Sequence, residues 1–178
     1  MRFLSWIILP LLFLIASLTH ADDFTAPKWG RDILALGQPV PTERSSAVTP
    51  DTRRLIVARA HQLVGHRYQW GGDSVETGFD CSGLLVYLYR SIANLHLPRN
   101  TRSMIAQKSA AIARHELQPG DAVFFSHNGS NGVSHVGLYI GENRFIHAPS
   151  TGNKIRIDSL SSEYWKRAYV TARNFDGR

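Results

Sequence analysis

One cysteine, Cys81, stands alone among 178 residues. It cannot form an internal bridge, so this is not one of the small exported domains that rely on disulfides instead of a core. There is no run of five Lys or Arg, which argues against a nucleic-acid tail although the net charge is +6. Internal repeats and low-complexity tracts are also missing, which excludes solenoids and arrays. Charged residues are only 19% of the chain and hydrophobic ones 43%, a balance that builds a packed core and does not suit disorder.

An uncharged stretch, residues 3–21, follows Met1-Arg2 and ends in Thr19-His20-Ala21 before Asp22-Asp23. A positive start, an apolar block and a small-residue exit make a secretory signal, with cleavage expected after Ala21. An uncleaved membrane anchor is the competing reading, and Pro10 and the polar exit speak against it. With no cysteine near the exit, a lipid-modified N-terminus is excluded. The exported chain is expected in the periplasm, cell envelope or medium. It remains basic, which suits anionic partners such as wall polymers and equally suits a plain solvated surface.

Residues 22–50 carry Pro27, Pro39, Pro41 and Pro50 and read as a linker, which leaves one domain over residues 51–178. Three helices are expected first, at 51–65, 81–92 and 101–113, with a glycine-rich loop at 68–78. Strands are expected afterwards, at 122–126, 135–140, 144–148, 154–158 and 168–172. Helices before strands is an α+β order, not alternating βαβ.

Cys81 falls where the second helix begins. Free N–H groups and partial positive charge at a helix start favour a thiolate and offer donors to an oxyanion. A buried core cysteine is the competing reading. A thiolate nucleophile needs a base and a group to orient it. His135 and His147 lie on the two arms of an expected hairpin. An odd-length turn, with a left-handed residue or bulge near Asn143, places them on one face; a two-residue turn places them on opposite faces. Of the other histidines, only His127, just after a strand, is a candidate for lining a cleft. Tyr68 could assist the oxyanion, Trp70 reads as a core aromatic, and Gly71-Gly72 permits close approach to a ligand.

These residues fall into motifs. Tyr68-Gln69-Trp70-Gly71-Gly72 and Gly78-Phe79-Asp80-Cys81-Ser82-Gly83-Leu84 resemble the signature of the NlpC/P60 cysteine peptidases. So do Leu97-Pro98-Arg99, Pro119-Gly120-Asp121, Ser134-His135-Val136-Gly137-Leu138-Tyr139 and Phe145-Ile146-His147-Ala148. The resemblance runs over about residues 51–175. It implies a papain-like core, with N-terminal helices packed on a small antiparallel β-sheet. It implies Cys81 as nucleophile, His135 as base, His147 as orienting residue and Tyr68 at the oxyanion. It sets Asp80, Ser82 and Arg99 near the substrate, and implies no cofactor or metal. The implied substrate is the peptidoglycan stem peptide, cut between γ-linked D-glutamate and diaminopimelate or lysine, or else at the D-alanyl-diaminopimelate cross-link. Asn100 and Met104 depart from the family pattern, which has Ser or Thr and then Gln at those places. The chain is expected to be a monomer, with targeting or control through a regulatory or adaptor protein. Two readings from other classes compete: a zinc hydrolase using the same Cys and His residues, and a non-catalytic wall-binding module. The order of the motifs argues against an acyltransferase.

Overall fold

The computed structural model describes residues 48–107, 111–127 and 132–175. The expected export signal and nearly all of the expected linker lie outside them. Helix α1, Pro50–Gln62, begins on Thr49, whose side chain accepts from the Thr52 amide, with Pro50 in the first turn. A tight loop follows, pinned by two short strands, β1 (Asp73–Ser74) and β2 (Gly78–Phe79). Helix α2, Cys81–Ala93, is capped by Asp80 and ends at Asn94 in the left-handed region. Leu84, Leu85 and Leu88 on it are fully buried.

Helix α3 covers only Thr101–Ile105 and does not run to residue 113 as its composition suggests. Ala111–Ile112 instead forms strand β3, paired with the last strand. Tertiary pairing overrides helical propensity here, as it commonly does for a short alanine-rich stretch. Strands β4 (Ala122–Phe125), β5 (His135–Gly141), β6 (Arg144–His147) and β7 (Arg156–Ser159) follow, then helix α4 (Glu163–Ala168) and strand β8 (Tyr169–Arg173). The six-stranded sheet has the order β3-β8-β4-β5-β6-β7, and every pairing in it is antiparallel. The fold is α+β, as expected.

Both sheet faces are covered. Val136, Leu138, Ile146, Ala122 and Phe124 pack with α1 and α2 in one core. Val123, Phe125, Tyr139 and Phe145 pack with Leu160 and Trp165 in a second. The Pro119-Gly120-Asp121 motif ties α1 to the sheet. Arg53 donates to the Pro119 carbonyl at 2.9 Å and to Asp121 at 3.1 Å. Both charges are buried, Asp121 completely, and Tyr89 adds a hydrogen bond to the Gly120 carbonyl.

The loop before Cys81 presses against the start of α2. A Cβ on Gly83 would lie 2.0 Å from the Gly72 carbonyl oxygen, and one on Gly72 would lie 2.3 Å from the Gly78 oxygen. Gly72 therefore serves contact between backbones inside the protein, whereas Gly71, with φ of 75° and open space where a Cβ would stand, lines the cleft around Cys81.

Candidate active site

The hairpin of β5 and β6 sets the two histidines. Its turn has two residues, Glu142 and Asn143, with φ of 53° and 55°, closed by the Gly141–Arg144 pair. A two-residue turn alone would put His135 and His147 on opposite faces. The register shifts between Tyr139 and Gly141, however, which inserts one residue into β5. Leu138 then faces Ile146, so Gly137 faces His147, and His135 lies one diagonal step away on the same face. The odd residue sits in a bulge and not in the turn.

The result is a hydrogen-bonded chain. His135 Nε2 is 2.8 Å from His147 Nδ1, and His147 Nε2 is 3.0 Å from Asp158 Oδ2. Trp165 Nε1 donates to the same carboxylate oxygen at 3.0 Å, and Arg156 donates to both oxygens. His135 and His147 are almost fully buried among Phe125, Phe145 and Trp165; the rings of His135 and Trp165 stack at 5.8 Å. Asp158 is in reach because β7 pairs with β6: Phe145 faces Asp158 and His147 faces Arg156, so Asp158 shares the face of His147.

A carboxylate only accepts hydrogen bonds, so it selects the Nε2–H tautomer of His147. Neutral His147 then accepts at Nδ1, and His135 must donate from Nε2. That leaves Nδ1 of His135 as a bare lone pair. Hydrogen bonds from His147 and then Arg156 hold the Asp158 carboxyl well below the usual carboxylate range. Burial lowers the pKa of both histidines, that of His135 furthest. Asp158 opposes that shift at each of them.

Cys81 lies at the first turn of α2, half-buried. The amides of Ser82 and of Val136, the residue after His135, lie against its sulfur and favour the thiolate, and Thr101 Oγ1 is 3.8 Å from Sγ. Burial is the largest influence on the thiol and pushes its pKa up; Thr101 and the two amides pull it back without offsetting the whole. The sequence led us to expect a lowered pKa from the helix start. The contribution of the helix start is present as the Ser82 amide, but desolvation outweighs it. With the histidine pKa lowered and the thiol pKa raised, the resting pair is neutral thiol and neutral imidazole.

Around Cys81 opens a cleft of about 800 Å³ lined by Tyr68, Trp70, Asp80, Ser82, residues 99–103 and residues 133–134. Tyr68 and the three residues expected near substrate all line it. Asp80, Ser82 and Arg99 are bound to one another there. Arg99 reaches both Asp80 oxygens at 2.9 and 2.8 Å and Ser82 Oγ at 2.9 Å. Asp80 also caps α2 through the Gly83 amide at 2.7 Å and holds the Gly71 amide at 2.9 Å. Tyr68 Oη has no hydrogen-bond partner among the described residues, and burial, with Cys81 and Asp80 nearby, raises its pKa. Trp70 is not a core aromatic: it is 81% exposed at the cleft rim. His127 is absent from the cleft lining and pairs with Tyr164 at 2.6 Å, its ring 4.9 Å from that of His135. The departures at 100 and 104 are absorbed locally. Asn100 caps α3 by accepting from the Ser103 amide at 2.8 Å, and Met104 is fully buried.

Asp158, Trp165, Thr101 and Arg102 were not singled out from sequence. Asp158 had a usable signal, since the face count that pairs the histidines extends to β7. The residues between β6 and β7 conceal the register, so the count cannot be started.

One α+β domain thus holds a cysteine at a helix start and a strand-borne histidine chain, with Val136, next to His135, against the sulfur. The family model for the NlpC/P60 family matches residues 65–174, and the chain belongs to that family. It is 48% identical over 121 residues to murein DD-endopeptidase MepH of Escherichia coli K12, covering 67% of this chain and 45% of that protein. It is 37% identical to the gamma-DL-glutamyl hydrolase of Bacillus subtilis 168 over 134 residues, 75% of this chain and 32% of the relative. Among solved structures, an NlpC/P60 family protein from Bacillus cereus superposes with a TM-score of 0.64 at 30% identity, over 70% of this chain and 40% of that one. The chain thus spans less than half the length of these relatives.

Proposed function

We propose that this protein is a peptidoglycan endopeptidase that cuts stem peptides with Cys81 as nucleophile. The observation that carries the reading is the line Asp158–His147–His135 together with a helix-start cysteine in an open cleft, tied to it through Val136, the residue after His135, whose amide lies against the sulfur. In the neutral resting state, His135 Nδ1 takes the thiol proton as sulfur attacks the amide carbonyl. Amides at the start of α2 and the Tyr68 hydroxyl receive the oxyanion. The imidazolium on His135 shares its Nε2–H with His147, and Asp158 stabilises the charge. His135 then protonates the leaving amine. Water, deprotonated by the same nitrogen, releases the acyl group and restores the thiol. Asp80, Ser82 and Arg99 shape the cleft floor next to the substrate. The zinc reading requires a free nitrogen on each histidine, and His147 has both engaged.

The 48% identity to a protein named a DD-endopeptidase favours the D-alanyl-diaminopimelate cross-link as the bond cut. The relative named a gamma-DL-glutamyl hydrolase supports the γ-D-glutamyl bond as a second reading. Mass spectrometry of products from defined, cross-linked muropeptides separates the two. Conversion of dimers to monomers indicates the cross-link, and release of an L-alanyl-γ-D-glutamyl fragment indicates the other bond. The Cys81→Ala protein should yield neither; full activity in it refutes the reading. We further propose that the chain is exported by residues 1–21 and acts in the cell envelope as a monomer, with a regulatory or adaptor protein controlling it. N-terminal sequencing of the mature protein, expected to begin at Asp22, checks the export step.

A further inference from the structure

Among the described residues, three charged side chains line the cleft: Asp80, Arg99 and Arg102. Two of them cancel. Arg99 and Asp80 form an ion pair at 2.8 Å, and the same two terminal nitrogens of Arg99 also donate to Ser82 and the Gly72 carbonyl. The nucleophile adds no charge, because its raised pKa keeps it a thiol at rest. Arg102 is different. It is exposed on α3 and has no ion pair or side-chain hydrogen bond to any described residue. A ligand approaching Cys81 therefore meets one uncompensated cation.

It lines the same cleft as the reacting atom. Thr101, the preceding residue, has its hydroxyl 3.8 Å from Sγ, so Arg102 follows directly on a residue that touches the nucleophile. A guanidinium presents a planar fork that matches a carboxylate.

We infer that Arg102 is the recognition residue for a free carboxylate next to the scissile bond. The inference rests on the peptidase reading above and adds a specificity element to it. Both candidate bonds have such a group. A γ-linked D-glutamate leaves its own α-carboxylate free on the carbonyl side. A cross-linked diaminopimelate has a free carboxylate on the carbon that bears the amide nitrogen. In either case Arg102 makes the enzyme prefer the free acid, and amidation of that one carboxylate removes the preference.

The test separates binding from turnover. Affinity is measured by calorimetry in the Cys81→Ala background, with Arg102 intact or changed to Ala or Glu. Three versions of one cross-linked muropeptide are used: free acid, amidated at the glutamate α-carboxylate, and amidated at the diaminopimelate carboxylate beside the cross-link. Arg102→Ala should weaken binding of the free acid about five- to tenfold, and Arg102→Glu further. The loss should shrink at high salt. One of the two amidated ligands should bind weakly with or without the arginine, and which one it is identifies the carboxylate. Arg54→Glu, on the outer side of α1, controls for net charge and should leave affinity unchanged. Equal binding of the free acid with Arg102 intact and in the Arg102→Glu variant overturns the inference, as does a loss that persists on both amides or no binding of the free acid at all. Wild-type turnover of the same ligands is assayed in parallel. Absence of any cleavage there defeats the peptidase reading, while the binding result decides the role of Arg102.

Discussion

Asp158→Asn isolates the role of the terminal carboxylate, because it removes charge with little change of shape. Asp158 Oδ2 accepts from His147 Nε2 and Trp165 Nε1, each at 3.0 Å. An asparagine oxygen at that place keeps both bonds but turns its NH₂ toward Arg156, which is a donor. The opposite orientation sets NH₂ against the indole N–H and forces His147 to carry its proton on Nδ1. His135 then accepts at Nε2 and has its own proton on Nδ1, where the base should be. Either way a charge-assisted hydrogen bond to the developing imidazolium is weakened, worth about 1.5–3 kcal/mol. At about 1.4 kcal/mol per tenfold, kcat/KM should fall roughly 10- to 100-fold. A second signature distinguishes this from simple disruption. Asp158 raises the pKa of both histidines against the effect of burial. Its neutralisation should therefore move the acid limb of the kcat/KM profile to lower pH while the plateau drops. In the wild type that limb should already lie below pH 6.5. The assay is initial rates on a defined muropeptide from about pH 4 to 8, a range that brackets the ordinary histidine pKa. Unchanged kcat/KM with an unmoved acid limb would refute the tautomer argument.

Other outcomes follow from packing and linkage. Asp121→Ala removes the buried carboxylate that accepts from Arg53 and from the Gln118 amide and should cost about 1.5–3 kcal/mol by chemical denaturation. Gly137→Ala places a Cβ 2.6 Å from Phe145 Cδ2 and 3.3 Å from His147 Cβ, so it should destabilise by about 1–3 kcal/mol and lower activity by displacing His147. The depressed pKa values of His135 and His147 mean that the unfolded chain binds more protons below pH 6.5. The stability they contribute is full above that pH and is lost as pH falls toward their folded values. Calorimetric Tm should therefore decline from pH 6.5 downward, and His135→Gln should flatten the slope.

The helices at 51 and 81 and the central strands were legible because their patterns are long and capped. The end of the third helix was not, since Ala111 and Ile112 suit a helix until β8 offers them partners. The face shared by His135 and His147 was legible only on the condition of an odd-length turn, and the turn has two residues. A sequence count fixes only parity, and a bulge at Ile140 supplies the odd residue as well as a longer turn does. Trp70 was misplaced because an aromatic beside two glycines looks like core when the loop's backbone contacts are unknown. The thiol's environment was half legible. The helix start could be read from Asp80-Cys81, whereas the burial that outweighs it, and the Thr101 and Val136 groups that partly offset that burial, come from parts of the chain distant in sequence. Asp158 needed the β6–β7 register, and nothing local specifies it.

The central claim is that Cys81 bonds covalently to the substrate acyl group. The direct measurement is intact-protein mass spectrometry of acid-quenched reactions with a defined muropeptide, followed by peptide mapping. As the chain has a single cysteine, the thioester has only one place to form. The account predicts a transient acyl adduct on the Cys81 peptide, its mass that of the carbonyl-side fragment, lost on longer incubation and absent from Cys81→Ala. Turnover with no adduct in the wild type, together with full activity in Cys81→Ala, would contradict it.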